Sequence, residues 1–180
     1  MATDTPLADP AELATWLRVP ADDPLLLATL RSASRRFRGA VRHEVNLVEG
    51  DEVVLDGNGR ESLLLPVWPT VAVTAVLLDD EGLVAGTDYS WSEAGILRRL
   101  DCQVWPARLR CLKVTYSHGW AEIPEDIADA VIEQARAAFR SDPGVKSKAV
   151  GGQSVTFETG VTSSWSDAVR RHQVQTGSDT

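Results

Sequence analysis

Asp23-Pro24-Leu25-Leu26-Leu27-Ala28-Thr29-Leu30-Arg31-Ser32-Ala33-Ser34-Arg35-Arg36-Phe37-Arg38-Gly39-Ala40-Val41-Arg42, followed at once by His43-Glu44-Val45-Asn46-Leu47-Val48, is the stretch on which the fold turns. Asp22 or Asp23 stands where a helix cap belongs. Pro24 suits the first turn, because its missing N–H has no helical partner there and its fixed φ is already helical. Leu27, Leu30, Ser34, Phe37 and Val41 recur at helical spacing, so a helix is predicted over 22–42. Past Arg42 the pattern changes to short β-prone runs, and the chain passes from helix to sheet.

Upstream, Asp9-Pro10 repeats the same start signal, and Leu13, Trp16 and Leu17 share one face of a helix predicted over 9–19. Downstream, strands are expected at Glu44–Val48, Glu52–Leu55, Ser62–Leu65, Val71–Leu78 and Arg110–Tyr116. Asp56-Gly57-Asn58-Gly59 is expected to close one hairpin and Asp79-Asp80-Glu81-Gly82 another, since Asp, Asn and Gly tolerate positive φ. Ile123-Pro124-Glu125-Asp126 opens a third helix over 124–141, with its acids at the positive end of the dipole and Ile127, Val131, Ala135, Ala138 and Phe139 as its apolar stripe. The fold class is therefore α+β: a bundle of two N-terminal helices and one long helix after the sheet, with a central antiparallel β-meander over 43–118 inserted between them.

After Gly144 bulky apolar residues thin out. Residues 1–144 are expected to form the body and 145–180 a flexible C-terminal extension, with a short strand over 153–158 and a short helix over 162–172. Val155 and Phe157 alternate with Ser154 and Thr156, as an edge strand would.

The composition is 43% hydrophobic and 24% charged, so a packed core is feasible. A net charge of -8 argues against a protein whose main task is coating nucleic acid, which needs concentrated Lys and Arg. No apolar run approaches the roughly 18 residues of a spanning helix, and Met1-Ala2-Thr3-Asp4-Thr5 has neither flank nor core of a signal peptide, so synthesis in the cytosol without membrane association is expected. Cys102 and Cys111 lack a CxxC pair or a nearby His and read as reduced, packed thiols, with a disulfide between two neighbouring strands as the alternative; no metal is expected. His43, His118 and His172 sit beside element boundaries, outside any nucleophile motif. Gly151-Gly152-Gln153-Ser154 lacks the GK[ST] ending of a phosphate loop, and Gly57-Asn58-Gly59 runs into strand residues instead of a helix. No catalytic residue and no cofactor is expected, and the chain is not read as an enzyme.

Arg31, Arg35, Arg38 and Arg42, at i, i+4, i+7 and i+11, lie along one face of the second helix. Three readings fit them: a solvated face whose stems cover the apolar seam, a contact with an acidic protein surface, or a phosphate contact. Trp68, Trp91, Trp105 and Trp120 belong to core or corner positions of the β region. Trp165 lies in the polar extension, where it either anchors in a partner's groove or packs back on its own chain.

The order of these features resembles the head-tail connector, or adaptor, family of long-tailed bacteriophages, in the form found in phages of actinobacteria. The resemblance is carried by Ala33-Ser34-Arg35-Arg36-Phe37-Arg38, Val54-Leu55-Asp56-Gly57-Asn58-Gly59 and Leu64-Leu65-Pro66-Val67-Trp68-Pro69-Thr70-Val71. Downstream it continues in Tyr89-Ser90-Trp91, Gly95-Ile96-Leu97, Val114-Thr115-Tyr116-Ser117-His118-Gly119, Ile123-Pro124-Glu125-Asp126 and Val150-Gly151-Gly152-Gln153-Ser154-Val155-Thr156-Phe157. It implies a structural virion protein, a dodecameric ring seated under the portal protein, meeting the stopper or another neck protein below and leaving a channel through which genomic DNA passes. It further implies that the extension docks on the portal through Val150, Gly151, Gly152, Ser154, Val155, Phe157 and Trp165, and that Arg31, Arg35, Arg38 and Arg42 face the next subunit. The alternatives are a nucleic-acid-binding module using the Arg31–Arg42 face, or another neck protein such as the stopper.

Overall fold

The computed structural model describes residues 5–140, 147–150, 153–156 and 161–174. The chain divides into a helical unit, residues up to 42 with 123–173, and a β unit built on residues 43–122.

In the helical unit α1 (Pro10–Leu17) and α2 (Pro24–Val41) start as the sequence predicts. Asp9 accepts from the Ala11 N–H at 2.8 Å, and Asp23 from Leu25 and Leu26 at 2.8 and 3.0 Å. Each carboxylate thereby satisfies first-turn donors that have no partner within the helix. Both helices end on an arginine in the left-handed region, Arg18 at φ 59° and Arg42 at φ 67°. The buried stripe of α2 is Leu26, Leu30, Ala33, Phe37 and Val41. Leu26 and not Leu27 lies in the seam, a shift of one position that leaves Leu27 half-buried.

This stripe packs on α3 (Glu125–Arg140) through Ile127, Ala130, Val131 and Ala135. The chain ahead of α1 is tied to α2: the Leu7 N–H donates to Ser34 Oγ at 3.0 Å, Ser34 Oγ donates to the Leu30 carbonyl at 2.8 Å, and Arg38 donates to the Thr5 carbonyl at 2.7 Å. Ser34 and Arg38, which hold this strap, are both buried.

In the β unit, β1 (Val48–Leu55), β3 (Thr70–Leu78), β4 (Glu81–Leu83) and β7 (Leu112–His118) form one antiparallel sheet in the order β1-β7-β3-β4. β2 (Ser62–Leu64), β5 (Tyr89–Trp91) and β6 (Ile96–Arg99) form a second, in the order β2-β6-β5. β7 alternates buried with half-buried residues, as a central strand with one face on the core must. Leu63, Leu65, Val76, Tyr89, Leu97 and Trp105 are among the residues that fill this core. Trp105 is fully buried, its indole N–H donates to the Leu97 carbonyl at 3.2 Å, and the Arg99 guanidinium lies 5.4 Å from its ring. Trp68, Trp91 and Trp120 are half-buried, Trp68 and Trp120 edge to face at 6.1 Å.

The α+β class and the antiparallel sheets between the helices match the expectation. Asp79 and Asp80, at φ 52° and 67°, close the β3–β4 hairpin with the two left-handed residues that a type I′ turn requires. Asp56–Gly59, expected to close a hairpin, instead joins strands of different sheets: β1 pairs with β7, and β2 with β6. Asp56 accepts from the Arg110 N–H at 2.6 Å and the Gly57 N–H donates to the Arg108 carbonyl at 2.8 Å, so the segment is pinned to the loop before β7. The strand expected over Glu44–Val48 reduces to one bridge, Asn46 with Trp120, before β1 begins at Val48.

In the C-terminal region β8 (Ser147–Val150) pairs antiparallel with β9 (Gln153–Thr156), Lys148 opposite Val155. Helix α4 (Ser163–His172) follows. It packs on α2 and α3, so this part of the expected flexible extension belongs to the folded helical unit.

Candidate assembly surfaces

The sequence left Trp165 to a partner or to its own chain, and the structure places it in the chain. The side chain is 5% exposed and meets Phe37 edge to face, with ring centroids 5.2 Å apart and planes at 84°. Thr162 caps the helix by accepting the Trp165 N–H at 3.2 Å. Trp165 is therefore withdrawn from the candidate portal contacts: its apolar area is already buried against α2. The signal that could have found this was in the sequence, since Trp165, Ala168 and His172 fall at i, i+3 and i+7 and form the inner face of a short amphipathic helix.

A polar clasp holds α4 to α3. Ser164 Oγ donates to Glu133, Arg171 donates to Asp126, and His172 Nε2 donates to Asp126 at 3.0 Å. Burial alone would raise the Asp126 pKa, but the hydrogen bonds and charges of His172 and Arg171 outweigh it and hold the carboxyl below its ordinary value. The sign follows: a depressed carboxylate adds stability above its unfolded pKa of about 4, and that contribution is lost as the pH falls through the folded value. Asp126→Asn is expected to lower stability at neutral pH by about 1 to 2 kcal/mol, a modest figure because Arg171 is mostly exposed and screened. Chemical denaturation from pH 7 down into the acid range checks this, the gap between variant and parent narrowing as the pH falls.

The other histidines also have their own partners. His118 is buried, donates to Asp51 at 3.1 Å and stacks at a tilt on Tyr116, 4.8 Å away. The Tyr116 hydroxyl is pushed up to about 12, first by burial and then by the Asp51 charge. His43 Nδ1 lies 2.7 Å from the Glu44 carbonyl. Among the described residues no group of three or more His, Cys, Asp or Glu is placed to hold a metal ion. Cys111 is buried and Cys102 exposed, both as free thiols.

Of the arginine stripe, Arg31, Arg35 and Arg42 are exposed, while Arg38 is 7% exposed beneath the Thr5 strap. Arg36, not singled out in the sequence, joins the exposed set. Charge is partitioned between the units: residues 43–122 hold 13 acidic and 6 basic side chains, whereas 1–42 and 123–173 together hold 12 of each. Of the candidate portal contacts, Val150, Ser154 and Val155 lie on the β8–β9 hairpin, and Gly151, Gly152 and Phe157 lie outside the described residues.

The described residues form a mixed α+β body of helices and antiparallel sheets. The chain belongs to the head completion protein family, which it matches over residues 11–171. Its fold is similar to a chain in the neck of an empty gene transfer agent particle, computed with C6 symmetry, at TM-score 0.63 and 20% identity, covering 99% of this chain and 95% of that one. It is similar also to a chain in the neck of the native particle, computed with C12 symmetry, at TM-score 0.59 and 21% identity, covering 99% and 95%. No curated protein matches the chain.

Proposed function

We propose that this chain is the adaptor between a phage-like head and its tail, a virion protein whose copies form a ring between the portal and the stopper around the path of the genome. Membership of the head completion protein family over residues 11–171 carries this reading. The similar chains come from particle necks computed with C6 and C12 symmetry, which supports a ring built by rotation. No described helix is long and apolar enough to cross a membrane.

The β8–β9 hairpin is the segment we assign to the portal, through Val150, Gly151, Gly152, Ser154, Val155 and Phe157. An antiparallel hairpin offers two outer edges for strand addition, in which backbone hydrogen bonds supply affinity and alternate side chains the register. The exposed part of the arginine stripe, Arg31, Arg35 and Arg42, is assigned to the neighbouring subunit. The acidic β unit would make any channel wall it lines repel DNA and limit sticking in transit. The nucleic-acid-binding alternative is weaker because Arg38 donates inside the chain and the net charge is negative.

Truncation after Gly144 would remove Trp165 and unsettle the fold, so it confounds docking with stability. Replacing residues 147–156 by a Gly-Ser linker separates the two. The expected result is a melting temperature within a few degrees of the parent and loss of capture by immobilised portal; undiminished capture would remove the hairpin from docking.

A further inference from the structure

Between α2 and α3 runs a groove of about 290 Å³. Ala28, Ser32, Ala33 and Ala138 keep its walls low, Arg36 stands at its rim and Gln134 lies at its floor. Gln134 is only 7% exposed, yet its side-chain carbonyl oxygen has no hydrogen-bond donor among the described residues. A buried amide oxygen left without a donor costs free energy, and a backbone N–H seated in the groove against Gln134 would offset that cost. The groove does not call for a bulky apolar anchor. Small side chains let a backbone come close, and a backbone N–H is the donor the oxygen lacks.

The β unit carries a segment of matching chemistry. β1 is an edge strand, bonded to β7 along one side, so N–H groups of its outer side have no ladder partner. A bulge between Val48 and Asp51 and the acids Glu49, Asp51 and Glu52 obstruct simple strand-to-strand pairing there. Asp51 is held by His118, whereas Glu49 and Glu52 are exposed and carry no ion pair among the described residues. Some other acids are engaged within the chain, Asp79 with Arg108, Asp80 with Lys113, and Asp126 with Arg171 and His172, but Glu49 and Glu52 are exposed acids that β1 itself carries.

We propose that the α2–α3 groove receives the β1 edge of a second copy of this chain, with Arg36 pairing to Glu52 or Glu49 and Gln134 accepting a backbone N–H from that edge. This rests on the ring reading above. Groove and edge are different surfaces, so the contact is heterologous, the kind that builds a ring when its rotation closes, with one groove and one edge used per copy.

The test uses heads carrying portal and the full-length chain with Cys102→Ser. Copies bound per head report the ring, and a cysteine pair, Ser32→Cys with Glu52→Cys, reports the contact. Under mild oxidation the pair is expected to give a ladder of covalent multimers that neither single cysteine gives. Arg36→Glu and Glu52→Arg are each expected to reduce copies per head about tenfold at limiting concentration, and their combination to restore most of the loss. Parent-like rings with no ladder and no rescue would overturn this contact and leave the ring standing. Single bound copies of the parent chain would overturn the ring reading and this contact with it.

Discussion

Trp165→Ala is expected to destabilise the isolated chain by about 3 to 5 kcal/mol, the cost of removing a large aromatic from a packed site. The indole is the main apolar anchor of α4 and closes edge-on against Phe37 on α2. Edge-to-face aromatic pairs add about 0.5 to 1.5 kcal/mol beyond burial, so Phe37→Leu, which keeps most of the volume, is expected to cost less but in the same direction. Loss of the indole also weakens the Asp126 clasp, because Arg171 and His172 reach Asp126 only while α4 is seated. Urea denaturation of parent and variant is the measurement. A variant as stable as the parent that nonetheless fails to bind portal would mean that Trp165 serves a partner and not its own core.

Gly57→Ala is the second large expected effect. A Cβ at residue 57 would fall 1.9 Å from the Pro106 carbonyl oxygen, a backbone atom that cannot swing aside. The neighbouring glycine differs: at Gly59 the nearest atom to an added Cβ is the Ala107 methyl at 3.4 Å, and the cost there comes from φ 73°. Gly57→Ala is therefore expected to cost about 3 kcal/mol or more and to lower soluble yield, because the backbone must move. Gly59→Ala is expected to cost about 1 kcal/mol. Equal thermal shifts for the two would contradict the close approach between residue 57 and the loop before β7.

The elements that signalled themselves in the sequence were those whose cause is local. Asp9-Pro10, Asp23-Pro24 and Asp79-Asp80 act through their own side chains and φ angles, so caps and hairpin could be read without the fold. Non-local causes were hidden. The pairing of β1 with β7 spans some sixty residues, and nothing in Asp56-Gly57-Asn58-Gly59 distinguishes a hairpin turn from a crossing between sheets. β4, β5 and β6, at three or four residues each, have too little period of their own to stand out among the turn residues around them. The arginine stripe was legible as a face, but burial of Arg38 depends on the Thr5 carbonyl far upstream in sequence. Sequence alone left Trp165 between a partner's groove and its own chain because its neighbours in sequence are polar, and the ring it meets, Phe37, lies far upstream. Gln134 gave no signal at all, since an unpaired amide is a property of the packed helices around it.

The central claim is that this chain is a ring-forming adaptor in the neck of a phage-like particle. Cryo-electron microscopy of the neck of such a particle tests it most directly. The account predicts a closed ring of this chain between portal and tail, with the β8–β9 hairpin against the portal and α4 still packed on α2 through Trp165. A neck in which the chain is absent, or present as separate copies that do not touch one another, would contradict it.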